Sequence, residues 1–169
     1  MSNPEAWLRG PLEGFSPQLM PAAHALVQAL EDVERAAALL TPGELAGRPR
    51  GAASVGFHLR HLAGSTDRLL AYARGEQLTP EQLASLRAEE TETGADAEEL
   101  LAGVRGAMEQ ALAQLRATPD AALDEPREVG RARLPSSVRG LLYHVGEHTA
   151  RHAGQVVTTA RVVRGAGGA

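Results

Sequence analysis

The stretch SSVRGLLYHVGEHTARHAGQVVTTARVVRG, residues 136–165, decides the fold. It runs without a Pro from two Ser that can cap a helix to a Gly that can end one, and Leu141, Val156 and Thr159 recur along one face. This spacing predicts a helix of about 27 residues, opening at Ser136 or Ser137, reaching Arg164 and stopped by Gly165. So long an amphipathic helix needs partners of similar length.

Three such partners lie upstream. A first helix is expected from Ser16-Pro17, with Ser16 as N-cap and Pro17 at the first helical position, carrying Leu19, Ala23, Leu26, Leu30, Val33, Ala37 and Leu40 on one stripe. It stops before Pro42-Gly43. A second starts at the Ser54 cap, runs through Val55, Leu59, Leu62, Leu69 and Tyr72, and ends at Gly75. Thr79-Pro80-Glu81-Gln82 reads as a capping box opening a short helix. A third long helix follows Asp96 and ends near Ala117, before Thr118-Pro119. Residues 119–135 contain three Pro and a mixed-charge run, a long crossover loop in which only a short piece near Val129 has strand character. The expected fold is therefore all-α, one four-helix-bundle domain over 1–169, with an N-terminal arm (1–15), a long crossover before the last helix and a disordered tail (165–169).

Composition narrows the chemistry. The chain has no Cys, no Lys and no Ile, and 31 of its 169 residues are Ala. A GC-rich genome accounts for the bias, but its chemical consequence stands. Disulfides, thiolate nucleophiles, Cys-bound zinc, Schiff bases and a complete Walker A loop are all excluded. A net charge of −4 and 3% aromatic residues give little material for neutralising phosphates or stacking bases, so no nucleic-acid partner is expected. No apolar run is long enough for a membrane span. Met1 to Gly14 has neither a basic start nor an apolar stretch, so no signal peptide and a cytoplasmic location are expected.

His is what remains, and the six His are clustered. His144, His148 and His152 sit at i, i+4 and i+8 on the last helix, within an arc of about 80°. Chance gives such a triple roughly once in a hundred sequences of this His content. Their stripe borders the apolar seam. His58 and His61 lie on the second long helix, and His24 stands alone on the first, off its apolar stripe, where exposure is expected. An i, i+4 His pair can aim two ring nitrogens at one divalent ion, and a third ligand from another helix leaves positions open for water or substrate. His61 is the expected third ligand, at the edge of its helix's stripe; His58, nearer the centre, stays open. The plain alternative is a hydrogen-bonded polar seam with no metal.

His144-Val145-Gly146-Glu147-His148 also matches the inverted zinc-protease pattern H-x-x-E-H. That chemistry needs a further ligand downstream. No Asp or Glu follows Glu147, and His152 on the same helix cannot close a tetrahedral site, so the protease reading is rejected.

The segment from His144 to Gln155 resembles the last-helix signature of the DinB-like superfamily, where a His-x3-His pair is followed by Gly-Gln. Ser54 to Gly64 is similar to that family's first ligand region, with a His before a Leu-Ala pair. Helix order and the long third connection fit as well. The resemblance implies a four-helix bundle that binds a divalent metal, nickel or zinc, through His61, His148 and His152, with His144 recurring one turn earlier outside the ligand set. It also implies metal-dependent activity such as thiol transfer with small bacterial thiols or thiol-dependent isomerisation; hydrolysis and a homodimer are further expectations. The usual His-Arg-Gly-Gln ending reads His152-Ala153-Gly154-Gln155 here, with the Arg displaced to Arg151.

Around those His, Glu147 is a candidate general base and Gln155 a candidate holder of a metal-bound water, both weighed against ordinary surface roles. Ser65 and Asp67 lie within reach along the second long helix. Gly146 and Gly154 each lower helix stability by roughly 0.5–1 kcal/mol relative to Ala, which close helix approach or room for a ligand would justify. Trp7 and Phe15 are expected to staple the N-terminal arm to the bundle. Two functions follow: a metal-dependent transferase or hydrolase acting on a small-molecule thiol or related substrate, or a non-catalytic, stress-associated metal-binding bundle working through protein association.

Overall fold

The computed structural model describes residues 4–91 and 94–166. Six α-helices follow in order: α1 (Met20–Ala37), α2 (Pro42–Ala46), α3 (Val55–Ala73), α4 (Pro80–Ala88), α5 (Ala97–Ala117) and α6 (Val138–Ala166). The four long ones, α1, α3, α5 and α6, make the bundle. Their packing partners give its order: α1 lies against α5 and α6, and α3 lies against the same two. Around the square the helices therefore run α1, α6, α3, α5, with α1 diagonal to α3. This order makes α3 and α6 neighbours, and it is what allows His from the second and fourth long helices to meet.

The core is aliphatic. Leu19, Leu26 and Val33 from α1 and the turn before it, Leu59 and Leu62 from α3, Leu101, Met108 and Leu115 from α5, and Leu142, Val145 and Val156 from α6 are all buried. Burying each such side chain stabilises the fold by roughly 1.5–3 kcal/mol.

The caps anticipated at Ser54, Thr79 and Asp96 are present: each side chain accepts from the backbone N–H three residues on. Three boundaries differ. The first helix begins at Met20, not at Pro17, because the Ser16 hydroxyl accepts from Gln18 N and closes a separate turn; Pro21 then occupies the first turn of α1. The segment after α1 contains the unanticipated α2, opened by a capping box between Thr41 and Glu44. Gly165 lies inside α6, which continues to Ala166; the rest of the expected tail, 167–169, lies outside the described residues.

The crossover expected as a loop carries a small antiparallel hairpin, β1 (Pro126–Val129) and β2 (Leu134–Ser137), with Pro126 opposite Ser137 and Val129 opposite Leu134. Arg127 Nε donates to the Ala73 carbonyl at 2.8 Å, tying the hairpin to the end of α3. The loop carbonyls of Glu125 and Leu123 accept from Val138 N and Arg139 N, so the first N–H groups of α6 are partnered.

The N-terminal arm is held differently from expectation. Phe15 is buried, with the Arg116 guanidinium 4.7 Å above its ring. Trp7 is 62% exposed and does not staple anything to the core. Polar contacts do that work: Ala6 N donates to Gln28 Oε1 at 2.8 Å, and Arg9 pairs with Glu31 at 2.5 Å. His24 is half-buried, its Nε2 3.0 Å from the Gly10 carbonyl, so it too ties down the arm.

Candidate metal centre

Where α3 faces α6, His61, His148 and His152 come together. One ring nitrogen of each lies within 4.8 Å of the other two, and all three rings are half-buried. Their centroids are 4.5 Å apart for His61–His152 and His148–His152, and 5.1 Å for His61–His148. Phe57, one turn before His61, stacks on the His61 ring at 5.5 Å and 11°.

Nδ1 of each ring has a partner in the protein. His61 Nδ1 is 2.7 Å from Glu89 Oε2. His152 Nδ1 is 3.0 Å from His58 Nδ1. His148 Nδ1 is 3.4 Å from Ser65 Oγ, whose own O–H donates to the His61 carbonyl at 2.5 Å and so leaves a lone pair for the ring N–H. Where Nδ1 carries the hydrogen of a neutral ring, Nε2 is the lone-pair nitrogen, as it is in His152 when that ring donates to His58.

Burial, followed by the nearness of His61, pushes His148 and His152 down to about 4. Both rings are therefore neutral at pH 7, the state in which an imidazole can donate a lone pair to a cation. Burial and His61 also lower His58. Among donor types, three imidazoles without thiolate suit zinc, nickel, copper or iron in preference to the harder calcium and magnesium.

The remaining sequence candidates separate. His58 is 6% exposed and packs behind His152. His144 is at the rim, its ring 5.4 Å from that of His148, and its Nδ1 faces Glu147 at 3.2 Å. Glu147 also pairs with Arg151, and that hydrogen bond holds its carboxyl below the usual range. Gln155 is exposed. Asp67 faces away, accepting from Gln82 at 2.7 Å. Ser65 stands at the site, and Glu89 and Arg68, which no motif in the sequence signals, complete it. Glu89 sits 28 residues from His61, beyond the range of any helical spacing rule.

Gly146 meets Ala22 of α1, where a Cβ would stand 3.0 Å from the Ala22 Cα. Gly154 has nothing within 4 Å and opens onto the groove between α1 and α6.

A family model described as the DinB superfamily matches residues 25–156, a span that includes all three His of the cluster. The chain belongs to the DinB superfamily. As a DinB-type bundle it is similar in backbone to YfiT from Bacillus subtilis, described as a probable metal-dependent hydrolase with an unusual four-helix bundle topology. That likeness has a TM-score of 0.65 at 18% identity and covers 90% of this chain and 91% of the other. A protein from Streptococcus pneumoniae is similar at a TM-score of 0.63 and 15% identity, over 95% of this chain and 96% of that one. At these identities the likenesses establish the fold alone. No curated protein matches the chain in sequence. Among the described residues, no helix is long and apolar enough to cross a membrane.

Proposed function

We propose that this DinB-type bundle is a metal-dependent enzyme whose divalent ion, zinc or nickel, is held by the Nε2 atoms of His61, His148 and His152. The observation that carries the reading is the convergence of three imidazoles from two helices. One ring nitrogen of each lies within 4.8 Å of the other two, while Nδ1 of each has a protein partner of its own. A hydrogen-bonded seam with no further role has no need of three rings so close together when each already has a partner outside the cluster.

Three protein ligands leave positions open for water or substrate, and a cation there supplies Lewis acidity and lowers the pKa of a bound water or thiol. The chain's own residues do the rest. His148 and His152 stay neutral, Glu89 holds the His61 ring, and Phe57 shields one face of His61 from water. Glu147, ionised at the rim, accepts a proton once it swings from Arg151, and Gln155 offers an amide to the substrate. The reaction is hydrolysis or transfer of a thiol group; a small-molecule thiol fits a protein that has none of its own.

The test is metal analysis of untagged protein purified without added metal. About one zinc or nickel per chain is expected, lost in His148→Ala; less than about a tenth of an ion per chain overturns the reading. Hydrolysis of ester substrates and transfer to thiol substrates should both be assayed, with chelator abolishing the true activity and metal restoring it.

A second reading, a bundle acting through association with another copy of itself, is favoured by Trp7 and Tyr143. Both stand exposed along the α1–α6 side, Trp7 beside an open groove of about 530 Å³ and Tyr143 beside a separate one of about 440 Å³. Sedimentation velocity that gives a monomer at all concentrations overturns it.

A further inference from the structure

Helix α4 buries none of its nine residues. A cleft of about 540 Å³ lies among α3, α4 and α5. A helix that contributes nothing to the core has no packing reason to be so well capped, yet Thr79 and Gln82 form a full capping box with Pro80 in the first turn. What α4 does place is the residue just beyond it. Glu89 is 5% exposed.

A buried carboxylate is costly unless fully partnered, and this one is. Oε2 accepts from His61 Nδ1 at 2.7 Å, and Oε1 accepts from Arg68 Nη1 at 2.6 Å. Arg60 Nε donates to the Glu89 carbonyl at 3.2 Å, holding the backbone in place. The Arg68 guanidinium, which can only donate, faces Oε1 and makes that oxygen an acceptor. Room for it comes from Gly64. A Cβ at that position would fall inside van der Waals contact of Glu89 Oε1 and 2.8 Å from Arg68 Nη1. A larger residue at this position would force the Glu89 carboxylate and the Arg68 guanidinium to shift from where they meet.

The geometry points to Glu89 as the positioning residue of the metal centre, locked by Arg68 and admitted by Gly64, with α4 serving to carry it. This inference rests on the proposed three-His site. His61 is the one member of the triad that is not on α6, so its ring must be aimed across a helix interface. The carboxylate fixes the Nδ1–H form of the ring, leaves Nε2 bare toward His148 and His152, and strengthens Nε2 as a donor.

The Glu89→Gln variant separates this role from simple packing. An amide has one acceptor oxygen, and Arg68 can only donate, so Arg68 takes the oxygen. The amide NH2 then faces His61 Nδ1 and donates to it, which moves the ring proton to Nε2, the nitrogen that must be bare. In the double variant Arg68→Met/Glu89→Gln the oxygen is free to turn back to His61.

The experiment uses the full chain. Long-range 1H–15N NMR of the metal-free protein reads the His61 tautomer, and chelator competition with zinc reads affinity. Nδ1–H is expected in the wild type and Nε2–H in Glu89→Gln, with zinc affinity ten- to a hundredfold weaker and most of both changes reversed in the double variant. Gly64→Ala should shift both readouts in the same direction as Glu89→Gln, and Glu99→Gln, on the same cleft, should shift neither. An Nε2–H His61 in the wild type, or Glu89→Gln with unchanged tautomer and zinc affinity within twofold, overturns the inference. If the wild type takes up no zinc, the metal reading falls, and the tautomer measurement still decides the role of Glu89 by itself.

Discussion

His58 and His152 meet through like atoms, Nδ1 to Nδ1, 3.0 Å apart across the α3–α6 interface. One of the two must carry a hydrogen and the other a lone pair. If His152 donates, its Nε2 is bare and available to a cation; if it accepts, Nε2 holds the proton. A bound ion therefore selects the first arrangement, with His58 as acceptor. His58→Leu removes that acceptor and leaves the His152 N–H buried without a partner, at about 1–3 kcal/mol. Zinc affinity should fall about tenfold in His58→Leu and be lost in His152→Ala, measured by chelator competition. Equal losses in the two variants would make His58 a ligand in its own right.

Acid should destabilise the metal-free chain earlier than its carboxylates alone would. Unfolded His takes up a proton near pH 6.5, whereas His148 and His152 in the fold do so only near 4. Between those values the unfolded state binds more protons, so stability falls as pH drops through this window and levels off below it. The loss is on the order of 1–3 kcal/mol per ring, the rings being partly in contact with solvent. Urea unfolding of metal-free protein at pH 7 and pH 5 should show it. The His148→Ala/His152→Ala variant should show much less of a fall over the same interval.

The two glycines of α6 should respond in opposite directions to the same change. Gly146→Ala places a methyl 3.0 Å from the Ala22 Cα and 3.1 Å from its carbonyl oxygen, backbone that cannot step aside. Overpacking there should cost about 1–3 kcal/mol. Gly154→Ala meets nothing within 4 Å and should stabilise by about 0.5–1 kcal/mol. Thermal denaturation of both variants checks the pair, and matching signs would contradict the helix contact described here.

Zinc should stabilise the native chain by mass action. At a free concentration a hundred times the dissociation constant the gain is about 2.7 kcal/mol. The melting temperature should rise with zinc in the wild type and stay flat in His61→Ala, as followed by calorimetry across a zinc titration.

Much of this fold could be read from short signals because they act locally. Ser54, Thr79 and Asp96 each cap the helix that follows by a bond three residues long, so neighbouring residues suffice to recognise them. Thr41-Pro42-Gly43-Glu44 carries the same signal as Thr79-Pro80-Glu81-Gln82, but the helix behind it is only five residues long, too short for periodicity to support the cap. Ser16-Pro17 misled for a related reason, since a capping Ser and a Pro also begin an isolated turn, and Pro21 offered a second start.

The site divides along the same line. His148 and His152 declare themselves by spacing on one helix, and His61 by its place on another. Glu89 does not, because its relation to His61 exists only after α4 has folded back on α3, and Arg68, though on α3, acquires its role only through Glu89. Trp7, a lone large aromatic, has the chemistry of a staple, yet it is exposed, and Gln28 and Glu31 hold the arm by polar contacts instead.

His61 and His148 stand 87 residues apart in the chain (148 − 61). An ion shared between them would close a loop of that length, and a closed loop restricts the unfolded chain more than the folded one. Treated as a cross-link, a loop of this size is worth about 4–5 kcal/mol in the entropic description used for disulfides. In a chain without a single Cys, the α3–α6 junction would then be a reversible staple, fastened by metal supply and released by its withdrawal.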